Sequence, residues 1–159
     1  MVSWTRVVAA TSAAIVLASG LASGKSAFRL EVGPPVAAGF KTGKKTPLAF
    51  AARALDCNDV ERVTVTARAE GLMNGSRQSL PLSLVEYATP GVFGVPHEWP
   101  NGVWVVSLTA TCPSPPATAG AIVRIGMKGS IRSASTILPR RATPRELDEA
   151  LRQLAGTTE

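Results

Sequence analysis

Short alternating apolar segments, Pro and Gly turns between them, and a pair of cysteines in an exported chain predict an all-β fold. The expected form is a two-sheet β-sandwich with a short C-terminal helix. The chain has 159 residues with 14 Gly and 12 Pro, and turn residues interrupt nearly every stretch from Gly33 to Pro116. It is 45% hydrophobic and 18% charged with a net charge of +6, which argues for a globular domain and against disorder. One domain of ordinary size fits this length.

Phe28, Leu30 and Val32 alternate with Arg29 and Glu31, a first strand that ends at Gly33-Pro34-Pro35. Pro47 to Leu55 places Leu48, Phe50, Ala52 and Ala54 on one face. Arg62 to Ala69 turns Val63, Val65, Ala67 and Ala69 inward and Thr64, Thr66 and Arg68 outward. Asn74-Gly75 is a type I′ hairpin signal, since both central residues need positive φ. The return strand runs from Arg77 to Val85, with Leu80, Leu82 and Leu84 inward. Pro81 makes it an edge strand, because it has no N–H for the ladder. Val92 to Val95 follows the turn Thr89-Pro90-Gly91. The longest strand, Val103 to Cys112, alternates Trp104, Val106, Leu108, Ala110 and Cys112 against Val105, Ser107, Thr109 and Thr111. The even-numbered face is expected to pack against the strand Val63 to Ala69. Pro113 to Pro116 reads as a stiff connector, and Ala121 to Ile131 as the last strand, with Ala121, Val123, Ile125 and Met127 apolar.

Ser133 to Ala142 reads as a linker. Thr143 (N-cap), Pro144 (N1), Glu146 (N3) and Gly156 then mark a helix, with Leu147, Ala150, Leu151 and Leu154 on one stripe. About 11 residues is marginal for an isolated helix, so it needs a surface. Its own sandwich is the expected seat, and a partner protein is the alternative. Residues 1–24 form a leader, 25–132 the sandwich, and 133–159 the linker and helix.

Met1 to Gly24 has the form of a secretory signal peptide. Arg6 precedes the apolar run Val7 to Ala18, and cleavage fits after Ala22 or after Gly24. The mature chain of about 135 residues is expected to be periplasmic or secreted, with no membrane span after cleavage. In that compartment Cys57 and Cys112 read as one disulfide. Closing a loop of about 55 residues contributes roughly 4 kcal/mol in the chain-entropy model. Cys112 is in phase with the core, whereas Cys57 needs a bulge or a place just past its strand end. Seven or so strands in two sheets with an inter-sheet bridge describe an immunoglobulin-like sandwich. Ala110 stands two residues before Cys112, where antibody domains carry Tyr.

Two segments, Thr89-Pro90-Gly91-Val92-Phe93-Gly94-Val95 and Trp99-Pro100-Asn101-Gly102-Val103-Trp104 through Ala110, form a further pattern. It is Pro-Gly-x-aromatic, then Gly-x-Trp and an alternating strand. Between Phe28 and Cys112 the chain resembles the YtkA/FixH-like exported immunoglobulin-like domains. That resemblance implies a non-enzymatic module, in a group where some members serve metal handling or cytochrome oxidase assembly. The chain departs from FixH-like members in lacking a retained membrane helix. It departs from CopC-like copper sandwiches in lacking an N-terminal His and an Asp-Gly-His strand.

His97 is the sole imidazole and the one candidate metal ligand, with Met73 and Met127 as conceivable copper partners. No catalytic residue is singled out, because no Ser or Asp lies in a nucleophile context. Gly43-Lys44-Lys45-Thr46 fails the phosphate-loop spacing. Asn74-Gly75-Ser76 matches a glycosylation sequon, and the hairpin turn already explains it. Asp59 and Glu98 form no paired-carboxylate spacing. The basic positions Lys41 to Lys45, Arg124, Lys128, Arg132, Arg140, Arg141 and Arg145 lack interleaved aromatics, which argues against nucleic acid as a partner. The expectation is an exported, non-enzymatic binding or structural module that needs no cofactor and serves an envelope protein or surface component. A copper accessory protein using His97 is the alternative, and a small hydrolase the third reading.

Overall fold

In the computed structural model, residues 27–35, 47–126, 131 and 135–156 are described. Lys41 to Lys45, Met127, Lys128 and Arg132, and the expected leader, lie outside them. Nine strands follow in chain order: β1 Arg29–Gly33, β2 Leu48–Leu55, β3 Thr64–Met73, β4 Ser76–Leu82, β5 Val85–Glu86, β6 Val92–Pro96, β7 Val103–Pro113, β8 Pro116–Ile125 and β9 Thr136–Leu138. The helix α1 spans Pro144–Gly156. The strands form two antiparallel sheets, a four-stranded one in the order β1-β2-β6-β5 and a five-stranded one in the order β4-β3-β7-β8-β9. The two pack as a sandwich, with α1 on the outer face of the larger sheet.

The inward faces follow the sequence alternation. Leu30, Phe50, Ala52, Ala54, Ala67, Ala69 and Val95 are buried in one core with Trp104, Val106, Leu108, Ala110 and Cys112. Asn74 (φ 49) and Gly75 (φ 76) make the expected hairpin between β3 and β4, and β4 is an edge strand that carries Pro81. Cys57 lies just beyond β2, after Asp56 turns the chain at a φ of 63. It bonds Cys112 of β7 and so ties one sheet to the other, with Cα atoms 5.8 Å apart.

Four expectations are corrected. The strand β3 is the ladder neighbour of β7 within one sheet, so the even face of β7 packs across the sandwich and not on β3. The stretch Arg77 to Val85 is two strands, because the chain leaves the larger sheet after Leu82 and joins the smaller one at Val85. Pro113 to Pro116 is a hairpin turn, not a connector: Pro113 pairs with Pro116, and β8 runs from Pro116 to Ile125 instead of from Ala121 to Ile131. The segment Ser133 to Ala142 contains β9, which pairs with Gly120–Ile122; three residues are too few to show an alternating pattern.

Trp104 is the largest fully buried side chain among the described residues. It stands opposite Gly71, where a Cβ would overlap its six-membered ring, so the absence of a side chain on β3 makes room for the indole. Its Nε1–H has no hydrogen-bond partner among the described residues. An unmet buried donor costs about 1–3 kcal/mol. Burying a Trp contributes about 4–6 kcal/mol at usual areas and coefficients, so the apolar term wins. Trp104→Ala is expected to lower unfolding free energy by about 3–5 kcal/mol in urea titration, against about 0.5 kcal/mol or less for Thr109→Ala on the other face. Equal losses would contradict this register.

Candidate binding cleft

The outer face of the five-stranded sheet is divided in two by chemistry. Val103 and Val105 point outward from the first part of β7, and on β8 Ile122, opposite Ser107, lies diagonally across from Val105. These apolar residues seat Leu147, Ala150, Leu151 and Leu154 of α1, together with Leu138 and Ala142. Farther along, β7 turns Ser107, Thr109 and Thr111 outward opposite Arg68, Thr66 and Thr64 of β3, and Glu70 of β3 faces outward opposite Val105. A leucine stripe has nothing to bury there, so the helix stops short and leaves a cleft.

Two local devices fix the helix. Its N-terminus is a capping box: Thr143 Oγ1 accepts the Glu146 N–H at 3.3 Å, and the Thr143 N–H donates to Glu146 at 2.8 Å. Arg140 grips the same carboxylate with two bonds of 2.9 Å. Gly120 of β8 supplies the second device, because a Cβ there would run into the Arg140 carbonyl. The strap carrying Arg140 to Ala142 thus lies flat on the sheet and delivers Arg141 to the cleft.

The cleft is about 620 Å³, and Thr66, Arg68, Glu70, Arg77, Ser107, Thr109 and Arg141 through Pro144 line it, with Leu147. Glu70 is the buried charge among the described residues. Its carboxylate accepts from Arg77 Nε at 3.2 Å and from Ser79 Oγ at 2.7 Å. Arg77 also pairs with Asp148 of α1, which joins the edge strand to the helix. Arg68 donates to Ser79 at 2.9 Å. Among the lining residues one carboxylate faces three guanidinium groups, of which Arg77 is shared with Asp148, and Arg141 has no acidic partner among the described residues. The wall is cationic and rich in hydroxyls, suited to carboxylates or other oxyanions.

His97 stands elsewhere. It is exposed after β6, its ring 4.8 Å from Trp99 and tilted by 50°. Its backbone N–H donates to the Pro47 carbonyl at 3.3 Å. No group of three His, Cys, Asp or Glu able to hold a metal ion is formed among the described residues. Asp59 pairs with Arg62, and Glu98 accepts from the Ser83 N–H. The basic positions also separate: Arg124 ties Thr136 of β9 to Gln153 of α1, and Arg140 belongs to the cap. Sequence reasoning passed over Glu70 and Arg77. The available signal was Val103 and Val105, apolar residues on a face that continues as Ser and Thr, which marks where a helix sits and where it does not.

In comparisons with known proteins, no family model, no curated protein and no solved structure matches the chain. Among the described residues no helix is long and apolar enough to cross a membrane.

The helix seat should respond to acid. The Arg140 guanidinium, with the Thr143 N–H and hydroxyl, pulls the Glu146 carboxyl from its ordinary 4.5 down to about 2. A depressed folded value means that this stabilisation is complete above the unfolded value and is lost as pH falls from 4.5 towards 2. Melting temperature should therefore fall more steeply over that window in the wild type than in Glu146→Gln. Parallel curves would contradict the capping assignment.

Proposed function

We propose that this protein is an exported, non-enzymatic binding module of the bacterial cell envelope, and that it binds through the cleft beside α1. The observation that carries the reading is the half-covered outer face: three arginines, four hydroxyl side chains and one carboxylate line the cleft. A purely structural sandwich gains nothing from leaving such a surface open next to an anchored helix. The leader at Met1 to Gly24 and the Cys57–Cys112 bridge support export to an oxidising compartment. The resemblance of Thr89–Val95 and Trp99–Ala110 to YtkA/FixH-like domains supports an envelope setting and a non-enzymatic role. The partner is an envelope protein or surface component that presents acidic groups.

Site-specific photo-crosslinking tests this in cells that express the chain with its own leader. A crosslinker at Thr66, on the cleft rim, should capture a discrete envelope component. One at Glu31, exposed on β1 of the opposite sheet, should not. Capture from Glu31 alone, or from neither, would overturn the reading.

A further inference from the structure

The larger sheet has an unfinished edge beside the cleft, and the ladder's own alternation identifies which atoms are exposed there. The two-residue turn at Asn74-Gly75 makes Met73–Ser76 a hydrogen-bonded pair. Bonded and non-bonded pairs alternate in an antiparallel ladder, so Gly71, Ala69 and Ala67 are the residues of β3 that bond β4. Arg68–Pro81 is then a non-bonded pair, where the missing proline N–H is harmless. The next residue of this series is Val65. Its N–H and C=O aim towards the same edge, but β4 ends at Leu82, opposite Ala67, and no strand among the described residues pairs beyond it. In place of a strand there is a trough of about 710 Å³, with Leu82, Leu84 and Phe93 along it and Arg68 and Arg141 at the corner shared with the cleft.

We infer that an extended acidic peptide segment of the partner adds to β3 at Val65 as a short extra strand, its carboxylate held at the Arg68–Arg141 corner. The inference rests on the binding reading above and names the chemistry of its partner. Three features favour this occupant. The donor and acceptor of Val65 match an extended backbone and supply affinity without regard to side chains. The apolar wall takes the alternate side chains that such a strand turns inward. Arg141, without an acidic partner among the described residues, complements one negative charge. The edge is only a few residues long, so the strand is short and its binding reversible.

The probes are blocked hexapeptides of alternating Val and Thr with a Glu at either end. Controls carry Lys in place of Glu, or an N-methyl group on the central residues. They are titrated into the mature, disulfide-bonded protein while its amide resonances are followed. A Glu peptide should shift the Val65 amide and slow its hydrogen exchange. The Lys and N-methylated forms should bind about tenfold more weakly or worse. Arg141→Glu, an exposed substitution, should reverse the preference in favour of the Lys peptide. An unmoved Val65 amide, or binding indifferent to N-methylation, overturns strand addition. If that happens while Thr66 still crosslinks to an envelope component, the cleft reading stands and only its peptide form is wrong. If both fail, neither survives.

Discussion

Strand β7 is packed on both faces over its first turn of sequence, and most of the molecule is arranged to satisfy that requirement. Trp104 and Val106 face the sandwich core and Val105 faces α1, and all three are fully buried. A strand covered on both sides needs a sheet partner on each edge and a layer above and below, since its backbone polar groups have no access to water. The ladders to β3 and β8 supply the edges. The four-stranded sheet supplies one layer and the helix the other. Gly71 makes room for the Trp104 ring, and Gly120 lets the strap to α1 lie close. The disulfide fastens the far end of the same strand.

The helix depends on that strand more than on its own propensity. Thirteen residues with a capping box are marginal in water, and its four buried side chains gain stability only against Val105, Ile122 and their neighbours. The seat has a definite end, where β7 changes from Val to Ser and Thr on its outer face. On β3 the outer face is polar already opposite Val105: Glu70 is held there by Arg77 and Ser79, and Arg77 reaches on to Asp148. The Arg77–Asp148 pair is exposed on both sides and is worth little, about 0–1 kcal/mol. Its role is geometric, for it holds the cleft wall at a fixed distance from the helix.

Much of the fold was legible because period-two alternation and turn chemistry are local signals. Trp104 to Cys112, Asn74-Gly75, Pro81 and the Thr143–Glu146 box each carried their structure in a few neighbouring residues. The errors came where the decision was not local. Whether β3 lies beside β7 or across from it does not alter which residues face inward, so alternation is blind to it. The crossing at Ser83 and Leu84 carries no Gly or Pro to announce it, and β9 is too short to show a period. The cleft was least visible of all. Arg68, Arg77 and Arg141 are scattered along 74 positions, from 68 to 141, and they meet only because β4, β3 and the strap to α1 converge.

The central claim is that Val105 and its outward neighbours, not the helix alone, create α1 and so the cleft beside it. Amide hydrogen exchange in Val105→Ser measures this most directly. The account predicts that Ala150 to Leu154 of α1 lose most of their protection in this variant, while the amides of Val106 and Leu108 stay slow. If α1 keeps its wild-type protection on the altered strand, the helix does not depend on this seat, and the account of the cleft is wrong.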